Sequence, residues 1–208
     1  MIYQPKDVFY RRAKEEGYRS RAAYKLLELN QRFRLIRPGD RVVDLGAAPG
    51  GWLQVASRLT GKNGKVMGVD LQPIEAFKEE NIFILQGDIT SEECQEKVIG
   101  LLGSWADCVL SDLSPRLSGI RDADRGRSVE LARSALQVAS RLLKAGGNFL
   151  AKTFMGEELK ALSLELKEHF GSVQRTRPES TRKGSSELYV CAQGFLRRSG
   201  RSAPAEGK

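Results

Sequence analysis

The chain has 208 residues, 34 Lys+Arg against 26 Asp+Glu, a net charge of +8, three cysteines and one histidine. At about 150 residues per domain this is one domain, able to bury roughly 70% of its unfolded surface without a disulfide or metal staple. Cys94, Cys108 and Cys191 are odd in number and widely spaced, which excludes a disulfide framework and a Cys-x-x-Cys zinc site. His169 stands alone, which excludes His-based metal sites and disfavours a Ser-His-Asp triad; no metal is expected.

In chain order, residues 20–33 carry helical spacing ahead of any strand. Residues 41–45, Arg-Val-Val-Asp-Leu, form an apolar, β-branched run closed by a Gly-rich turn. Further strand-like runs fall at residues 64–69, 82–85, 106–110 and 148–152, alternating with helical patterns at 52–59, 92–102, 129–143 and 157–170. In the third of these helices Val129, Ala132, Leu136, Ala139 and Leu143 recur at helical spacing and mark a buried stripe. Alternating strand and helix predicts a parallel sheet covered on both faces. The last two runs, residues 172–175 and 188–192, flank the polar stretch 177–186 with no helix between them, which predicts an antiparallel hairpin added to that sheet. The Arg-, Ser- and Gly-rich stretch from Arg197 predicts a disordered tail.

No apolar run approaches the roughly 18 residues a membrane span needs. The amino terminus has no apolar signal core, so a reduced, cytoplasmic, soluble protein is expected, with no membrane partner. Charge is unevenly placed. Residues 1–41 carry 11 basic and 5 acidic side chains, residues 173–208 carry 8 and 3, and residues 42–172 carry 15 and 18. Two basic ends around a slightly acidic centre are the footprint of a polyanion binder. The plainer alternative is ordinary solvated surface with a basic tail.

The sharpest motif is Asp44-Leu-Gly-Ala-Ala-Pro-Gly-Gly-Trp52, which follows a predicted strand and opens a helix. Ligands of open α/β sheets bind beyond the carboxyl ends of strands, so this turn borders the predicted site. Its spacing, Gly46-x-x-x-Gly50-Gly51, is not the Gly-x-Gly-x-x-Gly that cradles a pyrophosphate, which counts against a dinucleotide oxidoreductase. Asp70 ends the second predicted strand, where a carboxylate can accept ribose hydroxyls. Asp88 ends the third, where a carboxylate could accept from an adenine amino group. These residues suit a nucleoside without phosphates, and S-adenosyl-L-methionine, whose sulfonium is positive, suits the acidic centre. The alternative is that the glycines only make a tight turn and the acids cap helices.

Taken together, Arg19-Ser-Arg-Ala-Ala-Tyr-Lys-Leu26, the residue 44–52 turn, Ser111-Asp-Leu-Ser-Pro115, Lys152 and Ser186-Glu-Leu-Tyr-Val190 resemble the FtsJ/RrmJ family of S-adenosyl-L-methionine-dependent RNA ribose 2′-O-methyltransferases. The resemblance spans about residues 5–195. It implies a Rossmann-like α/β fold with a mostly parallel seven-stranded sheet, an antiparallel C-terminal strand and helices on both faces. One methyltransferase domain over residues 1–196 is expected, with a basic helical extension over about 1–38 and the tail at 197–208. It also implies a catalytic tetrad at Lys25, Asp112, Lys152 and Glu187, and cofactor contacts at Gly46, Gly50, Gly51, Trp52, Asp70, Asp88 and Asp112. The Ala-Ala-Pro-Gly-Gly-Trp form resembles the branch that modifies a uridine of 23S rRNA, making the large ribosomal subunit the expected partner and no obligate protein partner necessary. The tRNA-modifying branch tends to Cys-Ala-Ala-Pro-Gly-Ser-Trp. At residues 111–116 this chain has Ser-Asp-Leu-Ser-Pro-Arg, where bacterial rRNA members often have Ala-Pro-Asn after the Asp-x pair.

Methyl transfer from a sulfonium is an in-line displacement, so the protein must align the reacting atoms and manage one proton. Lys152 is the expected base, neutral when it acts. Burial, Lys25 and the sulfonium favour its neutral amine, whereas Asp112 and Glu187 favour the ammonium. Lys25 would orient the ribose and stabilise oxyanion charge, Glu187 would hold the lysines in register, and Asp112 would bridge cofactor and substrate. Expected RNA contacts are Arg11, Arg12, Arg19, Arg21, Arg182 and Lys183, with Phe9, Tyr10 and Tyr18 available to stack on bases; Tyr24 reads better as core. Residues 114–127 form a polar stretch after Asp112 and are a candidate lid. A tRNA ribose methylase and a non-catalytic RNA-binding protein on the same fold are the alternatives.

Overall fold

The computed structural model describes residues 8–182 and 184–197. The chain order is α1 (Val8–Glu15), α2 (Ala23–Phe33), β1 (Arg41–Leu45), α3 (Gly51–Thr60), β2 (Lys65–Asp70), β3 (Ile82–Gln86), α4 (Glu92–Leu102), β4 (Ala106–Ser111), α5 (Arg121–Leu142), β5 (Leu143–Phe154), α6 (Glu158–His169), β6 (Phe170–Thr176) and β7 (Glu187–Phe195). The strands form one seven-stranded sheet in the order β3-β2-β1-β4-β5-β7-β6. All pairings are parallel except those of β7, which lies antiparallel between β5 and β6. The expected fold class and the C-terminal hairpin are both present.

Strand periodicity accounts for the two covered faces, because successive side chains point to opposite sides. Val43, Val109, Phe149, Ala151, Val190 and Ala192 join a core under α4, α5 and α6. Their neighbours Val42, Cys108, Leu110, Leu150, Tyr189 and Cys191 join a second core under α1, α2 and α3. The central strands therefore read as continuous apolar runs, as strands buried on both faces must. The three cysteines are buried and free. No helix among the described residues is long and apolar enough to cross a membrane.

Three features depart from the sequence reading. The expected basic helical extension is two helices rather than one, the first of them, α1, anchored by Ala13 and by Phe9, whose ring lies 5.4 Å from that of Tyr24. α5 begins at Arg121, so the candidate lid is loop only as far as residue 120. Buried Asp124 accepts from the Ser118 amide and hydroxyl, each at 2.8 Å, and from the Gly119 amide at 3.2 Å, fixing the turn that opens the helix. Finally, Arg197 packs its guanidinium 3.7 Å from the Trp105 ring centroid, so the first residue of the expected tail belongs to the packed chain. Residues 198–208 lie outside the described residues.

Strand order reverses direction at β1, which has β2 on one side and β4 on the other. That switch point opens a crevice at the carboxyl ends of β1 and β4. Because β7 is antiparallel, its first residue, Glu187, reaches the same end of the sheet, opposite Phe154 of β5.

Candidate active site

The turn between β1 and α3 fills the crevice. Gly46 and Gly50 both have positive φ, +76° and +109°, which only glycine adopts cheaply. A Cβ on Gly46 would lie 2.5 Å from Leu113 Cδ2, and one on Gly50 would lie 2.4 Å from Phe77 Cζ. Asp70, at the end of β2, holds the turn by accepting from the Ala48 amide at 2.9 Å, while its other oxygen accepts from the Gln72 amide at 2.8 Å. A small cavity of about 130 Å³ results, lined in part by Asp44, Gly46, Gly51, Trp52 and Asp112. The structure thus brings four of the expected cofactor residues to one cavity and sets Asp70 behind it. Gly50 is covered by Phe77. Asp88 lies further out, on the surface, where the Thr90 hydroxyl and amide hold its carboxyl below the usual range.

Trp52 also ties two helices together. Its indole Nε1 donates to the Ala22 carbonyl at 2.8 Å, tying α3 to the residue just before α2. That bond fixes the start of α2, the helix that carries Lys25, against α3, and Ala22 itself lines the cavity.

The four tetrad positions converge. Lys152 Nζ lies 3.0 Å from Asp112 Oδ1 and donates to the Asp112 carbonyl at 2.7 Å. Lys25 Nζ is bonded to Glu187 Oε1. Both lysines are buried, at 9% and 8% exposure for Lys25 and Lys152, which is rare for the residue type unless it is paired. Four side chains from α2, β5, β7 and the end of β4 thus form two ion pairs at one end of the sheet.

Two participants have no counterpart in the sequence reading. The Tyr189 hydroxyl lies 2.8 Å from Asp112 Oδ1 and 3.2 Å from Glu187 Oε1, joining the pairs. Its ring is fully buried, 5.9 Å from that of Trp52. In the sequence it reads as one more apolar strand residue; its alignment opposite Lys152 in the β5–β7 register is the signal that identifies it. Asp44 is 1% exposed and neither of its carboxylate oxygens has a hydrogen-bond partner, although it lines the cavity. Burial, with Asp112 and Asp70 nearby, pushes its carboxyl well above the usual range. An acid among the buried apolar residues Val42, Val43 and Leu45 was the available signal.

The expected RNA contacts divide. Arg11 is exposed on α1, and Arg12 is exposed beside Glu16 at 2.6 Å. Arg21 donates to the Ser180 carbonyl; burial and nearby Arg182 lower its pKa while Glu187 opposes them. Arg21 and Arg182 thus lie together beside the tetrad. They meet because Glu28 of α2 accepts from the Glu179 amide at 2.6 Å and the Ser180 amide at 3.1 Å, docking the β6–β7 loop onto α2. Among the described residues, α2 and the β6–β7 loop thus bring one cation from each basic end, Arg21 and Arg182, together. Arg19 instead spends its guanidinium donors on the backbone carbonyls of Pro49, Glu75 and Ala76. Lys183 lies outside the described residues. Tyr18 and Tyr24 are core residues, and Tyr10 is exposed.

Known proteins are similar to the chain over most of its length. Residues 18–195 match the FtsJ-like methyltransferase family. The ribosomal RNA large subunit methyltransferase E of Methanothrix thermoacetophila is 52% identical over 94% of this chain and 75% of its own length. The protein of that name from Methanothermobacter thermautotrophicus is 50% identical over 91% of this chain and 90% of its own. A solved Plasmodium falciparum protein, described as a ribosomal RNA methyltransferase, superposes with a TM-score of 0.78 at 30% identity, covering 87% of this chain and all of the other. The chain belongs to the FtsJ-like methyltransferases.

Proposed function

We propose that the chain methylates the ribose 2′-OH of a uridine in 23S rRNA of the large ribosomal subunit, in the cytoplasm, using S-adenosyl-L-methionine. The observation that carries this reading is the pair of buried lysine–carboxylate contacts, Lys25–Glu187 and Lys152–Asp112, bridged by Tyr189 beside the cavity of the β1–α3 turn. The sequence relatives named for large-subunit rRNA supply the substrate class.

The residues present suit the donor. Asp44 offers two buried, unpartnered oxygens to a cationic group, which stabilises the ionised carboxylate in return. Asp70 uses one bond on each oxygen for backbone amides and keeps acceptor capacity for ribose hydroxyls. Asp88 has one oxygen engaged by Thr90 and the other available to an adenine amino group. Gly46, Gly50, Gly51 and Trp52 shape the turn against which the nucleoside end would lie. When bound, the sulfonium supplies an electrophilic methyl group and a neutral thioether leaving group.

The chain's own work is then orientation and one proton. Lys152 Nζ takes the proton from the ribose 2′-oxygen as that oxygen becomes nucleophilic. Asp112, which lines the cavity, fixes Lys152 through both its carboxylate and its carbonyl. Lys25, held by Glu187, directs an N–H at the same oxygen and stabilises its developing charge. Arg11, Arg12, Arg21, Arg182 and Lys183 would neutralise flanking phosphates.

Methyl-labelled S-adenosyl-L-methionine offered with isolated large subunits, protein-free 23S rRNA or tRNA tests the reading. Label in large-subunit rRNA is the expected result. Label only in tRNA, or in no RNA, contradicts it.

A further inference from the structure

Arg19 lies in the basic amino-terminal segment and looks in sequence like a phosphate contact. Half-buried, it acts as a strut between backbone segments. Its backbone amide donates to Gln54 Oε1 of α3 at 2.8 Å, and Gln54 Nε2 donates back to the Gly17 carbonyl at 2.9 Å. Its guanidinium donates to the Pro49 carbonyl at 3.3 Å, the Glu75 carbonyl at 2.7 Å and the Ala76 carbonyl at 2.7 Å. The same group stacks on Phe77, 3.5 Å from the ring centroid. Phe77 in turn presses on Gly50, which has no room for a side chain.

These contacts join two segments that carry no regular structure of their own: the β1–α3 turn and the β2–β3 connection. The first bears the cavity glycines. The second follows Asp70 directly. Asp70 ties them at one end through the Ala48 amide, and Arg19 ties them at the other. A planar guanidinium with several donors can hold carbonyls of both segments at once; a lysine ammonium lacks the fixed fork and the flat face for stacking.

We infer that Arg19 is a positioning residue for the methyl donor, holding the β2–β3 connection against the glycine turn through Pro49, Glu75, Ala76 and Phe77, rather than an RNA contact. This rests on the proposed donor site. The strap orients the nucleoside half, which S-adenosylmethionine and its neutral product S-adenosylhomocysteine share. Both ligands should therefore weaken together when it is cut.

The test is calorimetric titration of the full chain and its Arg19→Ala and Arg19→Lys variants with both ligands, alongside rRNA binding over a range of salt. In Arg19→Ala, Kd for both ligands should rise about tenfold, the size of one lost charge-assisted bond. Lysine should restore only part of it. At saturating donor kcat should stay within about twofold, because the proposed base and its partners are untouched. RNA affinity and its salt slope should not change. If Arg19→Ala fails to fold, Phe77→Leu removes the stacked ring alone and should raise both Kd values in the same direction. Unchanged ligand Kd in whichever variant folds overturns the inference, as does RNA binding that weakens with a salt slope shallower by about one. Wild-type protein that binds neither ligand overturns the donor site itself, and this inference with it.

Discussion

The Tyr189 hydroxyl stands 2.8 Å from Asp112 Oδ1, and that contact joins the two lysine–carboxylate pairs into one network. The hydroxyl has a single proton, so it satisfies Asp112 or Glu187 at any moment. Tyr189→Phe keeps the ring against Trp52 and removes the link. Stability should fall by about 1 kcal/mol, the usual worth of one hydrogen bond, and kcat by roughly three- to tenfold as Asp112 and Glu187 lose their common donor. Thermal unfolding and single-turnover methyl transfer measure the two effects.

Lys152→Arg keeps a cation beside Asp112 but offers no side chain that deprotonates in a protein. Turnover should fall by about 10²- to 10⁴-fold, the span of a lost general base, with donor affinity nearly unchanged. An Arg variant with near-wild-type turnover would remove Lys152 from the role of base.

Asp44 makes donor binding depend on pH. Its carboxyl in the free protein is pushed well above the usual range by burial, so it stays protonated where an unfolded chain has already ionised it. Its contribution to stability is therefore fully present below the unfolded carboxylate range, about pH 4, and is lost as pH rises through the higher folded value. A bound cationic donor favours the ionised form and offsets that loss. The rise in Tm produced by S-adenosylmethionine should grow as pH is raised from about 5 to 8, and Asp44→Asn should flatten the trend. Differential scanning fluorimetry with and without donor reads it directly.

Glu28 docks the β6–β7 loop by accepting from the Glu179 and Ser180 amides. Glu28→Ala frees the loop and with it Arg182. RNA affinity should fall about three- to tenfold, a loss on the scale of one charge-assisted hydrogen bond, while Kd for the donor stays put. Filter binding with large-subunit rRNA, set against donor calorimetry, separates the two.

Much of the architecture was legible because both sheet faces are buried. Residues such as Val42-Val43 and Cys108-Val109-Leu110 serve opposite cores on alternate positions, so each central strand reads as a short apolar run. The start of α5 was not legible. Residues 121–127 are Arg-Asp-Ala-Asp-Arg-Gly-Arg, with no apolar stripe, and are set as helix by the Asp124 turn rather than by periodicity. In the site, residues with an ionic side chain at a strand end could be read from the chain. Arg19 could not, since its partners are carbonyls of Pro49, Glu75 and Ala76, and carbonyls leave no trace in side-chain identity. Tyr189 was hidden for a similar reason: a buried tyrosine in a strand looks like packing until its hydroxyl has a neighbour.

Nucleoside mass spectrometry of large-subunit rRNA, after incubation with the enzyme and methyl-labelled S-adenosylmethionine, is the most direct measurement. Label in 2′-O-methyluridine, absent when the Lys152→Arg protein is used, is the predicted result. Label on a base, or label that persists undiminished with Lys152→Arg, would contradict a ribose-directed site built on the Lys25, Asp112, Lys152 and Glu187 cluster.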